Sequence, residues 1–216
     1  MLRILGSACI AACLTLTPAW AEMSGTETYD LLFKNGTLDD VPRDAVLVYD
    51  REVTNAIKPD TGPRDTGRVV LQVEEGSAPT AFLRFEQGDK YRNLGKFPAS
   101  VGNPMIMYFV ETVARDMGES AGGSLFYIRN RIKDALVTPT DAVPGEAQFD
   151  GRTIATTSVT LRPFEGDPNV DRMQGFGDMA MTVTMSDEVP GWYHSLSAKA
   201  SAYESVLTFE TLEDAE

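Results

Sequence analysis

The chain has 216 residues, of which 43% are hydrophobic and 24% are charged, and its formal net charge is −13. This length is sufficient for one well-cored domain, and the acidic balance repels nucleic acid on average, because binding to phosphate backbones requires clustered positive charge. We therefore expect a globular protein with no nucleic-acid partner.

The N-terminal segment, residues 1–21, has the three-part layout of a secretory signal peptide. A cationic start precedes an uncharged apolar run, and residues 18–21 end in an Ala-x-Ala pattern, which predicts cleavage after Ala21. The run is short for a membrane span, so we expect a periplasmic protein that is not transmembrane once the signal is cleaved. Alternatively, residues 10–13 loosely resemble a lipobox, which would leave a lipidated Cys13 at the N-terminus.

Both cysteines of the chain, Cys9 and Cys13, lie within this predicted signal. The mature protein is therefore expected to have no disulfide and no thiolate metal site. Residues 22–216 are predicted to form one domain that is held together by its hydrophobic core.

Alternating polar and apolar residues then predict a group of strands. Residues 22–44 are expected to be a loosely ordered opening segment, and the alternation begins after them. Turn residues at 59–63 and 75–79 separate the alternating segments and predict an antiparallel meander. The predicted strands cover residues 45–57, 68–74, 80–86 and 90–97.

The period next changes to that of an amphipathic helix. Asn103 is a predicted N-cap, Pro104 suits the first helical position, and apolar residues follow at helical spacing up to Met117. A break at residues 118–123 precedes Ser124, which is predicted to cap a second helix. The sequence therefore predicts a helical insert over residues 103–136.

Strands resume after this insert. They are predicted over residues 153–161, 178–186, 192–200 and 203–212, with a turn-rich loop over residues 163–177. Strands, a helix pair and more strands predict an α+β fold. We expect a curved antiparallel β-sheet, an open half-barrel, covered by the helical insert.

The start of the helical insert is apolar over more than one helix face. Core packing explains this pattern, but a cavity for an apolar ligand is an alternative, because flexible methionine side chains adapt to varied ligand shapes. The residues predicted to line such a cavity are Met105, Phe109, Met117, Met181 and Trp192.

Basic residues are concentrated on the second predicted helix of this acidic chain, among them Arg129 and Arg131. They form either a solvated face with local salt bridges to residues such as Asp134, or a site that recognises an anionic head group or an acidic partner surface.

Two sequence patterns resemble metal sites, but neither is sufficient to predict one. Asp167 opens a segment with the oxygen spacing of a calcium loop, but Arg172 stands where an EF-hand requires glycine. Methionine pairs at 105/107 and 179/181, with the lone His194, have ligands suited to Cu(I), but a buried strand face explains alternating methionines more simply. We therefore assign no metal, cofactor or catalytic residue.

The order of elements resembles the LolA/LolB-like group of periplasmic lipoprotein carriers and related exported proteins of Gram-negative bacteria. Segments 102–104, 122–131 and 189–193 carry the local likeness. The resemblance implies a curved, unclosed β-barrel covered by helices, with an apolar cavity for acyl chains. It implies no role for any single residue.

Three hypotheses about function follow. The first is a non-enzymatic binding protein that holds an acyl chain, from a lipid or a lipoprotein, or another apolar ligand between sheet and helices. The second is a ligand-free structural or interaction protein of the cell envelope with a protein partner. The third is a hydrolase that uses carboxylates, although no pair among the 32 acidic residues is marked by its spacing.

Overall fold

The computed structural model describes residues 22–74 and 76–215 of the chain. This part contains ten strands and four α-helices, joined by loops and short 3-10 turns. The predicted signal peptide and Cys13 lie outside this part. The strands are β1 (Glu22–Met23), β2 (Ala45–Asn55), β3 (Gly67–Glu74), β4 (Thr80–Gln87), β5 (Lys90–Pro98), β6 (Thr140–Phe149), β7 (Arg152–Leu161), β8 (Ala180–Met185), β9 (Tyr193–Ala200) and β10 (Tyr203–Asp214). The helices are α1 (Gly25–Leu32), α2 (Thr61–Asp65), α3 (Met105–Ala121) and α4 (Leu125–Leu136).

All ten strands belong to one sheet, in the order β1-β6-β7-β8-β9-β10-β2-β3-β4-β5. Every neighbouring pair is antiparallel. Two meanders, β2–β5 and β6–β10, meet where β10 pairs with β2, and α3 and α4 connect them. The sheet is open, with β1 and β5 at its edges, so the predicted α+β fold with a curved open antiparallel sheet is confirmed.

The core lies between one face of this sheet and the helices α3 and α4. The predicted methionine-rich face of β8 is buried, with Met181, Val183 and Met185 each at most 4% exposed. Phe109 and Val113 of α3, both at most 1% exposed, belong to the same hydrophobic core. Burial of each such side chain contributes about 1.5–3 kcal/mol of hydrophobic stabilisation, which fixes α3 on the sheet.

The helix pair matches the predicted insert, with differences at Pro104 and Gly118. Pro104, and not the predicted Asn103, is the N-cap of α3, and the Asn103 side chain accepts a hydrogen bond from the Met105 N–H at 3.0 Å. The Ser124 hydroxyl accepts the Tyr127 N–H and caps α4 as expected. Gly118 does not break α3, because it marks the place where α4 packs against it: a Cβ at Gly118 would come within 2.5 Å of Leu125 Cδ2. Among the described residues, no helix is long and apolar enough to cross a membrane.

Two further predictions were wrong. Residues 22–44 are not loosely ordered throughout, because Ser24 and Glu27 form a capping box that starts α1. Strand β6 was not predicted, because its residues are mostly exposed and Pro144 interrupts its pattern. Proline is tolerated there because β1 pairs only with Thr140 and Asp141, so no neighbour on that side requires the missing N–H.

Candidate functional site

Polar side chains on the buried face of β2 hold α3 along its length. They alternate with exposed residues and therefore point toward the helix. One accepts a hydrogen bond from Asn103, two residues before α3 begins, and two donate to the second half of α3. The pairs are Tyr49 with Asn103 (3.1 Å), Arg51 with Asp116 (2.9 Å) and Asn55 with Ser120 (2.7 Å).

A cleft of about 760 Å³ lies between α3 and the edge strand β5, with α2 at one end; we call it the α3–β5 cleft. Apolar side chains line part of the cleft on both of these elements. Leu94 and Phe97 of β5 face Met107 and Tyr108 of α3 across it. The Met107 side chain is 51% exposed, so the cleft presents apolar surface to solvent. Two other recesses, at Trp192 and at Met117, are smaller, with about 430 and 460 Å³.

The deepest polar groups of this cleft are Arg51 and Asp116, which form a buried ion pair. Burial raises the pKa of the Asp116 carboxyl, although Arg51 and the hydroxyl of Tyr203, which donates to Asp116 Oδ2 at 2.6 Å, act in the opposite direction. Arg51 Nε and the Tyr108 hydroxyl are buried and have no hydrogen-bond partner within residues 22–74 and 76–215. The lining of the cleft therefore includes buried polar atoms without a partner, and a ligand would reach them once the side chains that cover them move aside.

The remaining charges of the cleft are paired, with one exception. Arg64 bridges Asp65 (2.7 Å) and Glu119 (2.9 Å). Arg115 pairs with Glu111, at 2.7 Å. Arg92 of β5 forms no ion pair with any described residue, and its Cζ lies 5.4 Å from the centroid of the Phe85 ring.

The five residues predicted to line an apolar cavity all belong to the hydrophobic core. Met105, Phe109 and Met181 are at most 2% exposed, and Met117 borders the smaller recess next to Tyr127. Trp192 borders another of the smaller recesses, its Nε1 donates to the Leu31 carbonyl, and Lys34 Nζ lies 4.0 Å from its ring centroid. Ligand contact by Met105, Phe109 or Met181 would require α3 to lift from the sheet, and it stays a prediction.

The two arginines predicted to bind a head group or partner are both engaged with acidic side chains. Arg129 forms two hydrogen bonds with Glu111, at 2.9 and 2.6 Å. Arg131 Nε lies 3.0 Å from Asp167 Oδ2, whereas Asp134 is 3.9 Å away. Their role in binding stays a prediction, and the two arginines lie outside the α3–β5 cleft.

The carboxylate that opened the calcium-like pattern is used within the fold. Asp167 is 5% exposed and accepts hydrogen bonds from the Tyr127 hydroxyl (2.6 Å) and the Asn169 N–H (2.8 Å). In the described ranges, no group of three or more His, Cys, Asp or Glu side chains is placed to hold a metal ion.

The polar residues of the α3–β5 cleft were not among the predicted site residues. Arg51 stands in phase with the apolar side chains of β2, and Asp116 stands in phase with Phe109 and Val113 on α3. A charged residue in register with a buried stripe is unusual, because an unpaired charge is costly to bury. A charged residue within each buried stripe was therefore the sequence feature from which an ion pair between Arg51 and Asp116 could have been predicted.

Comparisons with known proteins do not show to which family this chain belongs. No protein-family model matches the chain, and no curated protein matches it significantly. Among solved structures, the chain is similar to the crystal structure of the Mycobacterium tuberculosis lipoprotein LppX. Their identity is 16%, the match covers 87% of this chain and 95% of that chain, and the TM-score is 0.38. A likeness this distant carries no functional argument.

Proposed function

We propose that this protein is an exported, non-enzymatic binding protein that holds an amphipathic small molecule, such as one with an acyl chain, in the α3–β5 cleft. The observation that carries the proposal is the cleft of about 760 Å³, whose lining combines apolar side chains with buried polar atoms that have no partner among the described residues. Sites for small molecules combine these features and have volumes of about 300–1,000 Å³. The ligand would lie between sheet and helix, although not against the core residues named from the sequence.

The apolar part of the ligand would lie against Leu94, Phe97 and Met107. These side chains leave apolar surface in contact with water, and covering it releases about 25 cal/mol for each Å². The polar end of the ligand would then reach Arg51 and Tyr108, whose free atoms gain hydrogen bonds. The hydrolase alternative gains no support from this cleft, because Asp65 and Asp116 are both paired with arginines.

A second candidate function, an envelope interaction protein, is favoured by a different observation. The first turn of α4 exposes three consecutive large apolar residues: Phe126 is 73% exposed, and Leu125 and Tyr127 are each 36% exposed. Exposed apolar residues grouped in this way are typical of protein–protein contact sites. The two functions are compatible, since α4 and the α3–β5 cleft are separate surfaces.

Native mass spectrometry tests the ligand directly. The mature protein is purified from the periplasm and measured before and after denaturing extraction. We expect extra mass that denaturation releases as an amphipathic molecule.

A variant pair shows whether the cleft is the site. Titration with the neutral apolar dye Nile red should saturate one site in the wild type and weaken by about tenfold, the equivalent of about 1.4 kcal/mol, in Met107→Glu. The matched control is Val101→Glu, because Val101 is 61% exposed and lies outside the cleft. A bare native mass together with equal dye binding by wild type and Met107→Glu would refute the proposal.

A further inference from the structure

We infer that the ligand of the α3–β5 cleft has an anionic head group, a carboxylate or a phosphate, which is bound by Arg51, Arg92 and Tyr108. This inference rests on the proposed function and specifies the chemistry of the ligand. It is carried by the hydrogen-bond inventory and the charge pairing of the cleft.

The first step concerns Arg51, whose guanidinium is only partly satisfied. Its Nη2 donates to Asp116, while Nε, buried in a side chain that is 2% exposed, donates to no described group. A buried donor without an acceptor destabilises the fold, and more so when the group is charged. An oxygen atom of a ligand that reaches Nε would remove this cost.

The second step concerns Tyr108, which places a hydroxyl beside Arg51. Burial raises the pKa of this hydroxyl, an effect that the nearby guanidinium groups of Arg51 and Arg92 oppose. The hydroxyl therefore stays protonated at neutral pH and donates a hydrogen bond. The residue is 9% exposed, and its hydroxyl proton has no acceptor among the described residues, because the neighbouring Arg51 side chain can only donate, so this proton is available to a ligand.

The third step concerns the sign of the charge that the cleft can accept. Four arginines and four acidic residues line it, and each acid is within 3.0 Å of an arginine partner. Arg92 is the arginine left over within the described residues. Arginine side chains only donate hydrogen bonds, so the free groups of this cleft require an acceptor. A carboxylate or a phosphate supplies several acceptor oxygens and a negative charge, whereas an ammonium group supplies neither.

The test compares three probes that share one alkyl chain: dodecanoate, dodecyl phosphate and dodecanol. Binding is measured by displacement of Nile red at fixed ionic strength. Three proteins are compared with the wild type: Arg92→Gln, Tyr108→Phe and the control Lys90→Gln. Lys90 is an exposed cation of the same strand β5, lies outside the cleft, and its substitution removes the same charge.

We expect the wild type to bind at least one of the two anionic probes about tenfold more tightly than dodecanol, because charge-assisted hydrogen bonds are stronger than neutral ones. The probe that binds more tightly identifies carboxylate or phosphate as the head group. Arg92→Gln and Tyr108→Phe should each remove most of this preference, because each weakens binding of the anionic probe more than binding of dodecanol, while Lys90→Gln should preserve it.

Equal affinity for all three probes would overturn the anionic head group and leave the proposed function standing. A preference that Lys90→Gln reduces as much as Arg92→Gln would also overturn it, because general electrostatic attraction would then explain the effect. Failure of all three probes to displace Nile red would instead count against the proposed function itself.

Discussion

At the scale of single residues, the pair formed by Arg51 and Asp116 determines how the cleft is built. A buried ion pair contributes little net stability, because desolvation of both charges offsets their attraction. Its effect here is positional: Arg51 projects from β2, Asp116 projects from α3, and their contact sets the distance between sheet and helix. Hydrophobic packing alone would permit several helix positions, whereas a 2.9 Å ion pair permits few.

This interpretation predicts a non-additive pattern of stability. Asp116→Asn should lower the free energy of unfolding by about 3–5 kcal/mol, because it leaves the Arg51 charge buried without a counter-ion. Arg51→Met should cost a similar amount for the converse reason. The double variant should recover much of the loss, since the uncharged Asn side chain still accepts from Tyr203. Urea unfolding of the four proteins measures the coupling.

The control for this cycle is a surface ion pair. Arg152 and Glu188 are 55% and 41% exposed, so Arg152→Met should cost no more than about 1 kcal/mol. Losses that simply add in the buried double variant would contradict the proposed dependence of each charge on the other.

At the scale of elements, the sequence predicted those whose pattern is set by burial on one face. Strands β4 and β8 alternate strictly in burial because one face meets the core, and β3 alternates except at Val70, which is buried between Val69 and Leu71. The predicted positions of all three strands are correct to within two residues. Strand β6 has no such contrast, since most of its residues are exposed on both faces, and it was missed. The candidate cleft was missed for a related reason, because its polar residues occupy positions where burial predicts apolar ones.

The long loop between β7 and β8 is fixed to α4 through Asp167, and this contact has a predictable pH dependence. Burial raises the pKa of the Asp167 carboxyl, but hydrogen bonds from Tyr127 and Asn169 and the charge of Arg131 outweigh burial and lower it below its ordinary value of 3.8. The contact therefore stabilises the fold above about pH 4 and is lost as the pH falls through the lowered pKa.

Thermal unfolding of Asp167→Asn tests this contact. The variant should be less stable than the wild type by about 1.5–3 kcal/mol at pH 7, the usual contribution of a hydrogen bond to a charged group. The difference should stay constant down to about pH 4 and narrow below it. Asp171→Asn, an exposed acid in the same loop, should change stability by less than about 0.5 kcal/mol at any of these pH values. A difference between wild type and Asp167→Asn that does not vary with pH would show that the carboxylate charge is not involved.

At the scale of the whole molecule, the sheet depends on a pairing that no local pattern reveals. The last strand, β10, lies at the middle of the sheet and joins the two meanders by pairing with β9 on one side and β2 on the other. Its alternation predicts a strand but not its partners, because any half-buried antiparallel strand has the same period. The position of the cleft depends on this junction, since Arg51 of β2 lies opposite Leu207 of β10.

The central position of β10 predicts that the C-terminal strand is indispensable. Removal of residues 203–216 would expose the backbone hydrogen-bonding groups of β2 and β9 and take Tyr203, Leu207 and Phe209 out of the core. Three such side chains represent about 5–9 kcal/mol of burial, comparable with the whole stability of a typical domain. We expect the truncated chain to lose its near-ultraviolet circular dichroism and its cooperative urea transition.

Removal of β1, a two-residue strand at the edge of the sheet, is the control and should preserve both signals. A sharp unfolding transition in the chain without β10 would mean that the two meanders hold together through α3 and α4 alone, and the anchoring of α3 to β2 would then be the dominant contact of the fold.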